Sequence, residues 1–135
     1  VVKPTRKVKL LFIKNRKLQL KTRIYHNPRC SKSRATLKLL EKTGTDLEII
    51  EYLKTPPSKK KLQLLIKKLG LSAKHLVRTN EPEFKAANIS LEKASEKELV
   101  SLMIAHPKII ERPIVEVGEK ARIGRPPENI LELVR

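Results

Sequence analysis

From residue 22 onward, hydrophobic and polar positions alternate with the spacing of short strands and amphipathic helices. A strand is predicted at 22–26, where an Asn-Pro turn ends it, and a helix is predicted at 33–42, with Gly44 placed to terminate it. Segment 47–53 is rich in Leu and Ile and predicts a buried strand. This strand–helix–strand order favours a parallel pair of strands.

Helices are predicted to follow this unit. Ser58 is a candidate N-cap for a helix in which apolar residues between 62 and 69 recur at i, i+3, i+4 and i+7, and Gly70 ends the pattern. Residues 72–94 predict short helical pieces and loops, and 96–106 predict another amphipathic helix. The middle helices therefore form an insertion before the last strands.

The last part of the chain predicts a hairpin and a final helix. Two short strands at 114–117 and 121–123 turn near Gly118, and the Arg-Pro-Pro segment at 125–127 opens a helix through Val134. The complete order predicts an α/β fold with a mixed sheet, in which the hairpin supplies an antiparallel edge.

Length and composition narrow the class of protein. The 135 residues suit one domain, or one domain with a tail, and can bury a core without a disulfide scaffold. A single cysteine excludes an internal disulfide and a cysteine-based metal cluster, so we expect no bound metal. The longest apolar run, 10–13, is far shorter than the roughly 20 residues that span a bilayer, and no secretory signal is seen. We therefore expect a cytoplasmic protein without a membrane segment.

The net charge of +17 is divided between two parts of the chain. Residues 1–23 hold nine of the 31 basic residues and no acidic one, so about half of the excess charge lies in the first sixth of the chain. We divide the chain into a basic N-terminal extension, 1–22, and a domain, 23–135. The extension is either a disordered tail, an added edge strand around 8–13, or part of a longer precursor.

The basic excess also raises the hypothesis of nucleic-acid binding. The extension would give salt-dependent, non-specific affinity. However, the sequence has no recognised nucleic-acid motif and only two Tyr and two Phe residues for base stacking. We therefore expect any nucleic-acid binding to be non-specific and to depend on residues 1–22.

Cys30 is the principal candidate for chemistry, because it lies between a predicted strand and a predicted helix. The unpaired amides and the dipole of a helix N-terminus favour a thiolate and can cradle an anion. Arg29, Lys32 and Arg34 add positive charge nearby. The alternative is a buried, inert cysteine, but the polar and basic flanking residues favour a reactive thiol.

Two neighbours of Cys30 each have two interpretations. His26 either stabilises the thiolate and moves a proton, or it is a structural histidine that bonds the loop. Ser33 replaces the second cysteine of a C-x-x-C pattern, so an oxidised Cys30 would need an outside thiol for its release; Ser33 is also a candidate N-cap. A cysteine phosphatase is disfavoured, since such enzymes place an Arg after five intervening residues, where this chain has Thr36.

Several separated motifs occur in one order along the chain. They are His26-Asn27-Pro28-x-Cys30-x-x-Ser33, Tyr52-Leu53-Lys54-Thr55-Pro56-Pro57, Arg78-Thr79-Asn80-Glu81, His106-Pro107, Arg112-Pro113-Ile114 and Arg125-Pro126. Together they resemble the glutaredoxin-dependent arsenate reductase family. The resemblance covers about residues 23–135, the whole length of such a domain.

The resemblance implies a thioredoxin-like fold with a helical insertion, and a role for each matching residue. Cys30 would be the nucleophile that attacks arsenate and forms a thiol–arsenate adduct. The other assignments are His26 and Ser33 as residues that tune the thiolate, Arg78, Arg112 and Arg125 as oxyanion-binding arginines, and Asn27 and Pro113 as structural neighbours, with Pro113 as a cis-proline.

The resemblance also implies the partners of the reaction. Glutathione, as a co-substrate, would attack the adduct, and glutaredoxin would complete the reduction to arsenite, with no bound cofactor. Arsenate is a tetrahedral oxyanion, which planar guanidinium groups bind well. Arg112 and Arg125 each precede a proline, and the extended backbone favoured there can project both side chains inward.

Two alternatives stay open for the function. Ser31 and Lys32 follow Cys30, whereas the best-known arsenate reducers of the family have Gly and Thr, so one alternative is an oxidoreductase that acts on another substrate. The other is a non-catalytic regulator or adaptor similar to the Spx proteins, which bind RNA polymerase. Those proteins usually carry a C-x-x-C switch, and Ser33 in this chain disfavours that alternative.

Overall fold

The computed structural model of the chain describes residues 21–134. The strands are β1 (Thr22–Tyr25), β2 (Leu47–Ile50), β3 (Ile114–Val117) and β4 (Lys120–Ile123). The α-helices are α1 (Ser31–Lys42), α2 (Lys59–Leu69), α3 (Pro82–Ala87), α4 (Glu96–Ala105) and α5 (Leu131–Val134). Short 3₁₀ helices lie at Ala73–His75, Pro107–Ile109 and Pro127–Ile130.

The strands of this described region form one mixed sheet in the order β2-β1-β3-β4. β1 pairs in parallel with β2 and antiparallel with β3, and β3 and β4 form an antiparallel hairpin. The predicted parallel start and antiparallel edge are therefore confirmed. Because parallel strands need a crossover connection, α1 carries the chain from β1 to β2.

Side chains that alternate along the central strands divide the core into two layers. Ile24 and Val115 pack with Leu40 of α1 on one face of the sheet. Tyr25 and Ile114 belong to the other cluster, which includes the buried residues of α2 and α4. The helical insertion that the sequence predicts thus covers one face of the sheet, and α1 covers the other.

The predicted ends of α2 are confirmed. Ser58 accepts a hydrogen bond from the N–H of Lys61 at 3.1 Å, which satisfies one of the free amides at the start of the helix. Gly70 follows the helix in the left-handed region, with φ at 69°, and its N–H donates to the carbonyl of Ile66. A glycine adopts this conformation without the steric penalty of a side chain.

The prediction of a buried strand at 47–53 is wrong in two respects. β2 ends at Ile50, and among residues 21–134 it is an edge strand that pairs with β1 alone, with Ile49 50% exposed. Tyr52 lies after the strand, in a turn, and is buried at 2% exposure. A short apolar run does not distinguish an edge strand from a central one, because the distinction depends on strand pairing distant in sequence.

The final helix is also shorter than predicted. Pro127–Ile130 forms a 3₁₀ turn before α5, and the N–H of Asn129 donates to the carbonyl of Pro126 at 3.0 Å. Apart from Lys21 and Thr22, the basic extension lies outside the described residues. Within residues 21–134, no helix has the length and apolar character needed to cross a membrane.

A buried carboxylate joins α2 to the sheet. Glu116 of β3 is 1% exposed, forms ion pairs with Lys61 and Lys68, and accepts a hydrogen bond from the hydroxyl of Tyr25 at 3.3 Å. Burial alone would raise the pKa of Glu116, but hydrogen bonds from Lys68 and Lys61 outweigh it and hold that pKa below its usual value. The ion pairs of the charged Glu116 with the two lysines therefore hold α2 against β3.

Candidate active site

Cys30 is the N-cap of α1 and has an extended backbone, with φ at −94° and ψ at 122°. Its carbonyl accepts a hydrogen bond from the N–H of Arg34 at 3.0 Å. The side chain makes no capping hydrogen bond and is 9% exposed, while Nη2 of Arg125 lies 3.8 Å from Sγ, in position to donate to it. The thiol is therefore buried and faces a guanidinium at the N-terminal end of a helix.

Polar groups hold the loop before Cys30 in place. The N–H of Cys30 donates to the carbonyl of Asn27 at 3.0 Å, and the side-chain oxygen of Asn27 accepts from the N–H of Arg29 at 3.0 Å. Arg34 reaches back from α1 and donates to the carbonyl of Pro28 at 2.9 Å. Asn27 thus closes the turn that presents the thiol at the start of α1.

His26 and Ser33 form a buried pair beneath this loop. Nδ1 of His26 lies 2.6 Å from Oγ of Ser33, and the same Oγ accepts from the N–H of Asn27 at 3.0 Å. Burial lowers the pKa of His26, as does the charge of Arg34, whereas Glu51 opposes the shift. A neutral imidazole that accepts at Nδ1 and carries its proton on Nε2 satisfies both hydrogen bonds of Ser33.

The structure corrects one interpretation of Ser33. The prediction that Ser33 caps the helix is wrong, because α1 begins at Ser31 and Cys30 is its N-cap. The hydroxyl of Ser33 instead points back to the end of β1 and joins it to α1. Nδ1 of His26 bonds to Ser33 rather than to Cys30.

Arg78 reaches the site through a short contact between distant loops. Val77 and Ile110 form an isolated antiparallel bridge, and the N–H of Arg78 donates to the carbonyl of Ile109 at 2.7 Å. In return, the N–H of Glu111 donates to the carbonyl of Leu76 at 2.7 Å. This bridge places Arg78 directly beside the segment that carries Glu111 and Arg112.

Arg112 and Arg125 lie before two cis-prolines. The Arg112–Pro113 bond is cis, as the resemblance implied, and so is the Arg125–Pro126 bond, which was not predicted. Nε of Arg125 donates to the carbonyl of Arg112 at 2.8 Å, so the two loops are joined at the site. The three predicted arginines therefore lie in one region, with Arg125 in direct contact with the thiol.

Gly124 is a positioning residue that sequence reasoning missed. A Cβ at this position would lie 2.5 Å from Oγ1 of Thr36 and 2.8 Å from Cγ of Pro113, closer than real Cβ contacts. The N–H of Gly124 also donates to the carbonyl of Pro113 at 2.9 Å. Only a glycine at this position allows the backbone before Arg125 to approach α1 and the cis-proline loop so closely.

Glu111 was also missed, although it contacts all three arginine residues. Its Oε1 lies 3.0 Å from Nε of Arg125 and 3.9 Å from Nε of Arg78, and it accepts from the N–H of Arg112 at 3.2 Å. The signal in the sequence was a carboxylate directly before an Arg-Pro pair. Without the bridge between Val77 and Ile110, nothing in the sequence brings it to Arg78.

A cavity of about 230 Å³ lies next to the Cys30 loop. Its lining is basic and includes Asn27, Arg29, Tyr52, Leu53, Arg78, Glu81, Lys108 and Arg112. Burial raises the pKa of Tyr52, as does the nearby Cys30, while Arg78 and Asn27 oppose the shift. Tyr52 therefore stays protonated near neutral pH and presents a hydroxyl donor that we did not predict.

Two buried guanidinium atoms have no hydrogen-bond partner among residues 21–134, namely Nε of Arg112 and Nη1 of Arg78. Nη1 of Arg78 lies 3.3 Å from Oε1 of Glu81, which supplies charge compensation. Buried donors are normally satisfied, so these atoms mark a place where an acceptor from a ligand fits. Within the same residues, no cluster of three or more His, Cys, Asp or Glu could hold a metal ion.

Comparison with known proteins shows the family of this chain. Residues 25–133 match the ArsC family. A relative named "Arsenate reductase", from Haemophilus influenzae, is 46% identical over 112 residues, which are 82% of this chain and 97% of the relative. The Escherichia coli K12 "Uncharacterized protein YfgD" is 50% identical over 113 residues, 83% of this chain and 95% of the relative.

A solved structure shows the same architecture. The structure described as "Arsenate reductase from Vibrio cholerae" superposes with a TM-score of 0.80 at 45% identity and covers 84% of this chain and 98% of that one. The fold and the cysteine at the start of α1 define a thioredoxin-like α/β protein with a buried thiol in a cationic site. The chain belongs to the ArsC family.

Proposed function

We propose that this protein reduces arsenate to arsenite and that Cys30 is the nucleophile. The observation that carries the proposal is the placement of the thiol at the N-terminus of α1, 3.8 Å from Nη2 of Arg125 and in the same region as Arg78 and Arg112. The names of the relatives point to the same substrate. A tetrahedral oxyanion suits both the arginines and the helix N-terminus.

The first step joins the thiol to arsenic. The thiolate of Cys30 attacks the arsenic atom of hydrogen arsenate and an S–As(V) bond forms. The As–OH bond breaks, and the hydroxyl takes up one proton from solvent and leaves as water. Arsenic keeps its oxidation state in this step. Arg78, Arg112 and Arg125 would hold the remaining oxygens and offset the negative charge at the attacking sulfur.

His26, Ser33 and Asn27 act as positioning residues in this proposal. The Ser33 hydroxyl joins His26 to the N–H of Asn27, and Asn27 in turn closes the turn at Cys30. Loss of this bond would free the loop that places the thiol. The expected role in tuning the thiolate would therefore act through the geometry of the loop.

The second stage needs outside thiols, since this sequence carries one cysteine. Glutathione would attack the adduct, and glutaredoxin would complete the transfer. In the complete reaction arsenic gains two electrons, two thiol sulfurs become a disulfide, and one oxygen of arsenate appears in water. The proposed chemistry uses glutathione as a co-substrate, uses no bound cofactor, and belongs in the cytoplasm, where glutathione keeps thiols reduced.

The coupling to glutathione and glutaredoxin has a direct test. Arsenite formation is measured with the protein and arsenate in the presence of glutathione, of glutaredoxin, of both, and of neither. We expect sustained turnover only with both thiol sources. Sustained turnover with thioredoxin alone, in place of both, would contradict the proposed partners while leaving Cys30 as the nucleophile.

A further inference from the structure

We propose that Glu111 makes the oxyanion site selective for anions that still carry a proton, such as hydrogen arsenate and hydrogen phosphate, over fully deprotonated anions such as sulfate. This inference rests on the proposed function, because it concerns the oxyanion that would meet Cys30. It adds a specificity-determining residue to the arginines and the thiol.

The position of the carboxylate carries the proposal. Oε1 of Glu111 makes the contacts to all three arginine residues, at 3.0 Å to Nε of Arg125, 3.9 Å to Nε of Arg78 and 3.2 Å to the backbone nitrogen of Arg112. An anion held by these arginines therefore lies beside a carboxylate. Oε2, the second oxygen, makes none of these contacts.

The carboxylate is accessible to a ligand from the groove that Arg125 also lines. The side chain of Glu111 is 27% exposed, and Glu111 and Arg125 together line an open groove of about 580 Å³. Arg78 and Arg112 line the separate 230 Å³ cavity beside the Cys30 loop. Glu111 thus lies where the arginines of the cavity and the arginine of the groove meet.

A carboxylate in an anion site distinguishes anions by their protons. A charged carboxylate accepts hydrogen bonds but donates none, so it repels an oxygen that carries no proton and pairs with an oxygen that does. Near neutral pH arsenate and phosphate keep a hydroxyl, whereas sulfate has none. A site built to bond a ligand hydroxyl rejects the analogue that lacks it, because the protein acceptor is then left unpaired.

The charges around the site agree with this role. Three positive charges come from Arg78, Arg112 and Arg125. Two negative charges, those of Glu81 and Glu111, lie beside them. Within the described part of the chain, Glu81 pairs with Arg78, whereas Glu111 contacts all three arginine residues. Glu81 lines the cavity with Arg78 and Arg112, whereas Glu111 is the carboxylate that meets Arg125, the arginine in contact with Cys30.

The experiment measures how anions protect the thiol. Because the chain has one cysteine, the rate of its alkylation by iodoacetamide reports on Cys30 alone. The full chain is alkylated at neutral pH with phosphate, arsenate or sulfate at equal ionic strength, as wild type, Glu111→Gln and Glu119→Gln. Glu119 is an exposed residue of the β3–β4 turn, so its variant makes the same change of charge away from the site.

In the wild type we expect phosphate and arsenate to halve the alkylation rate of Cys30 at a concentration at least about tenfold lower than sulfate requires. One hydrogen bond to a charged group provides a ratio of that size. In Glu111→Gln that ratio should shrink to about twofold, mainly because sulfate binds more tightly. Glu119→Gln should keep the wild-type ratio. A Gln side chain is nearly isosteric with Glu. Isothermal titration of phosphate and sulfate gives the same affinity ratio without alkylation.

Three results would overturn the inference. Equal protection by sulfate and phosphate in the wild type, or an unchanged ratio in Glu111→Gln, would show that the carboxylate does not select the proton. An equal gain in affinity for every anion in Glu111→Gln would show a charge effect alone. If no anion protects the wild type, the anion site itself is absent and the proposed function fails with it.

Discussion

Arg125 and Cys30 are 95 residues apart in sequence, yet Nη2 of Arg125 lies 3.8 Å from the sulfur of Cys30. The same guanidinium donates from Nε to the carbonyl of Arg112 at 2.8 Å. One side chain thus joins the thiol at the start of α1 to the cis-proline loop before β3. The candidate site depends on this contact, because it connects the nucleophile with the anion-binding region.

Replacement of Arg125 by Lys tests this contact. An ammonium keeps the charge but cannot donate to Cys30 and Arg112 from one planar group. We expect arsenate turnover and the alkylation rate of Cys30 to fall by about tenfold or more, the loss of one hydrogen bond to a charged group. Stopped-flow alkylation and arsenite quantification measure both effects.

The matched control for this variant is Arg122→Lys. Arg122 lies on β4 and pairs with the exposed Glu132 at 3.8 Å, an ion pair of the kind that contributes little. It should retain wild-type rates. If both variants keep the wild-type rates, a positive charge near β4 is sufficient, and the contact between Arg125 and Cys30 does not set the reactivity of the thiol.

Ser33→Ala tests the buried pair beneath the loop. The variant removes the partner of His26 and the acceptor of the Asn27 N–H, so a buried imidazole and a partly buried amide lose their bonds. We expect a loss of about 1–3 kcal/mol in the free energy of unfolding. Urea denaturation measures it, with Ser31→Ala, an exposed residue of the same helix, as the control. A loss no larger than that of Ser31→Ala would contradict the role of the pair.

Gly124→Ala tests the close approach of three segments. Its Cβ would overlap Oγ1 of Thr36 and Cγ of Pro113, so neighbouring segments must move. Overpacking of this kind destabilises by about 1–3 kcal/mol. Since Gly124 precedes Arg125, turnover should fall together with stability.

A double mutant separates steric overlap from other effects of the alanine. Thr36→Ala removes one of the two contacts, so Gly124→Ala should destabilise that background less than it destabilises the wild type. Thermal or urea unfolding of the four proteins gives the coupling energy. Additive losses would mean that Gly124 and Thr36 do not compete for space.

The buried Glu116 predicts a dependence of stability on pH. Burial opposes its charge, but Lys68 and Lys61 hold its pKa below the usual value, so the folded state releases its proton at lower pH than the unfolded chain does. Its contribution to stability is thus complete above the unfolded pKa of about 4.3 and is lost as pH falls through the folded pKa. Chemical denaturation from pH 7 to pH 3 measures this.

Glu116→Gln should remove that part of the pH dependence. It should also lower stability at pH 7 by about 3–5 kcal/mol, because Lys61 and Lys68 would lose their charged partner. A variant whose stability falls with acid as steeply as that of the wild type would show that other carboxylates dominate.

Local signals in the sequence predicted most of the fold. The helix ends at Ser58 and Gly70 and the hairpin near Gly118 follow from residues close together in the chain, and the structure confirms them. The edge position of β2 did not follow, because strand order depends on partners distant in sequence. The same limit applied to Ser33, whose partner His26 lies at the end of the preceding strand.

The candidate site could be predicted only in part for the same reason. Cys30 and the arginines carry motifs, so the resemblance indicated them, and the structure places them in one region. Glu111 and Gly124 carry no motif of their own. Their importance comes from a bridge between loops and from a close approach of backbones, and neither is visible in the chain alone.

The proposed function requires that arsenate be reduced at the thiol of Cys30. Its most direct test compares the full chain with Cys30→Ser in the presence of arsenate, glutathione and glutaredoxin, with arsenite quantified by chromatography and mass spectrometry. We predict many molecules of arsenite per wild-type protein and a background rate for Cys30→Ser. A wild type that forms no arsenite above background, or a variant that matches the wild type, would contradict the claim.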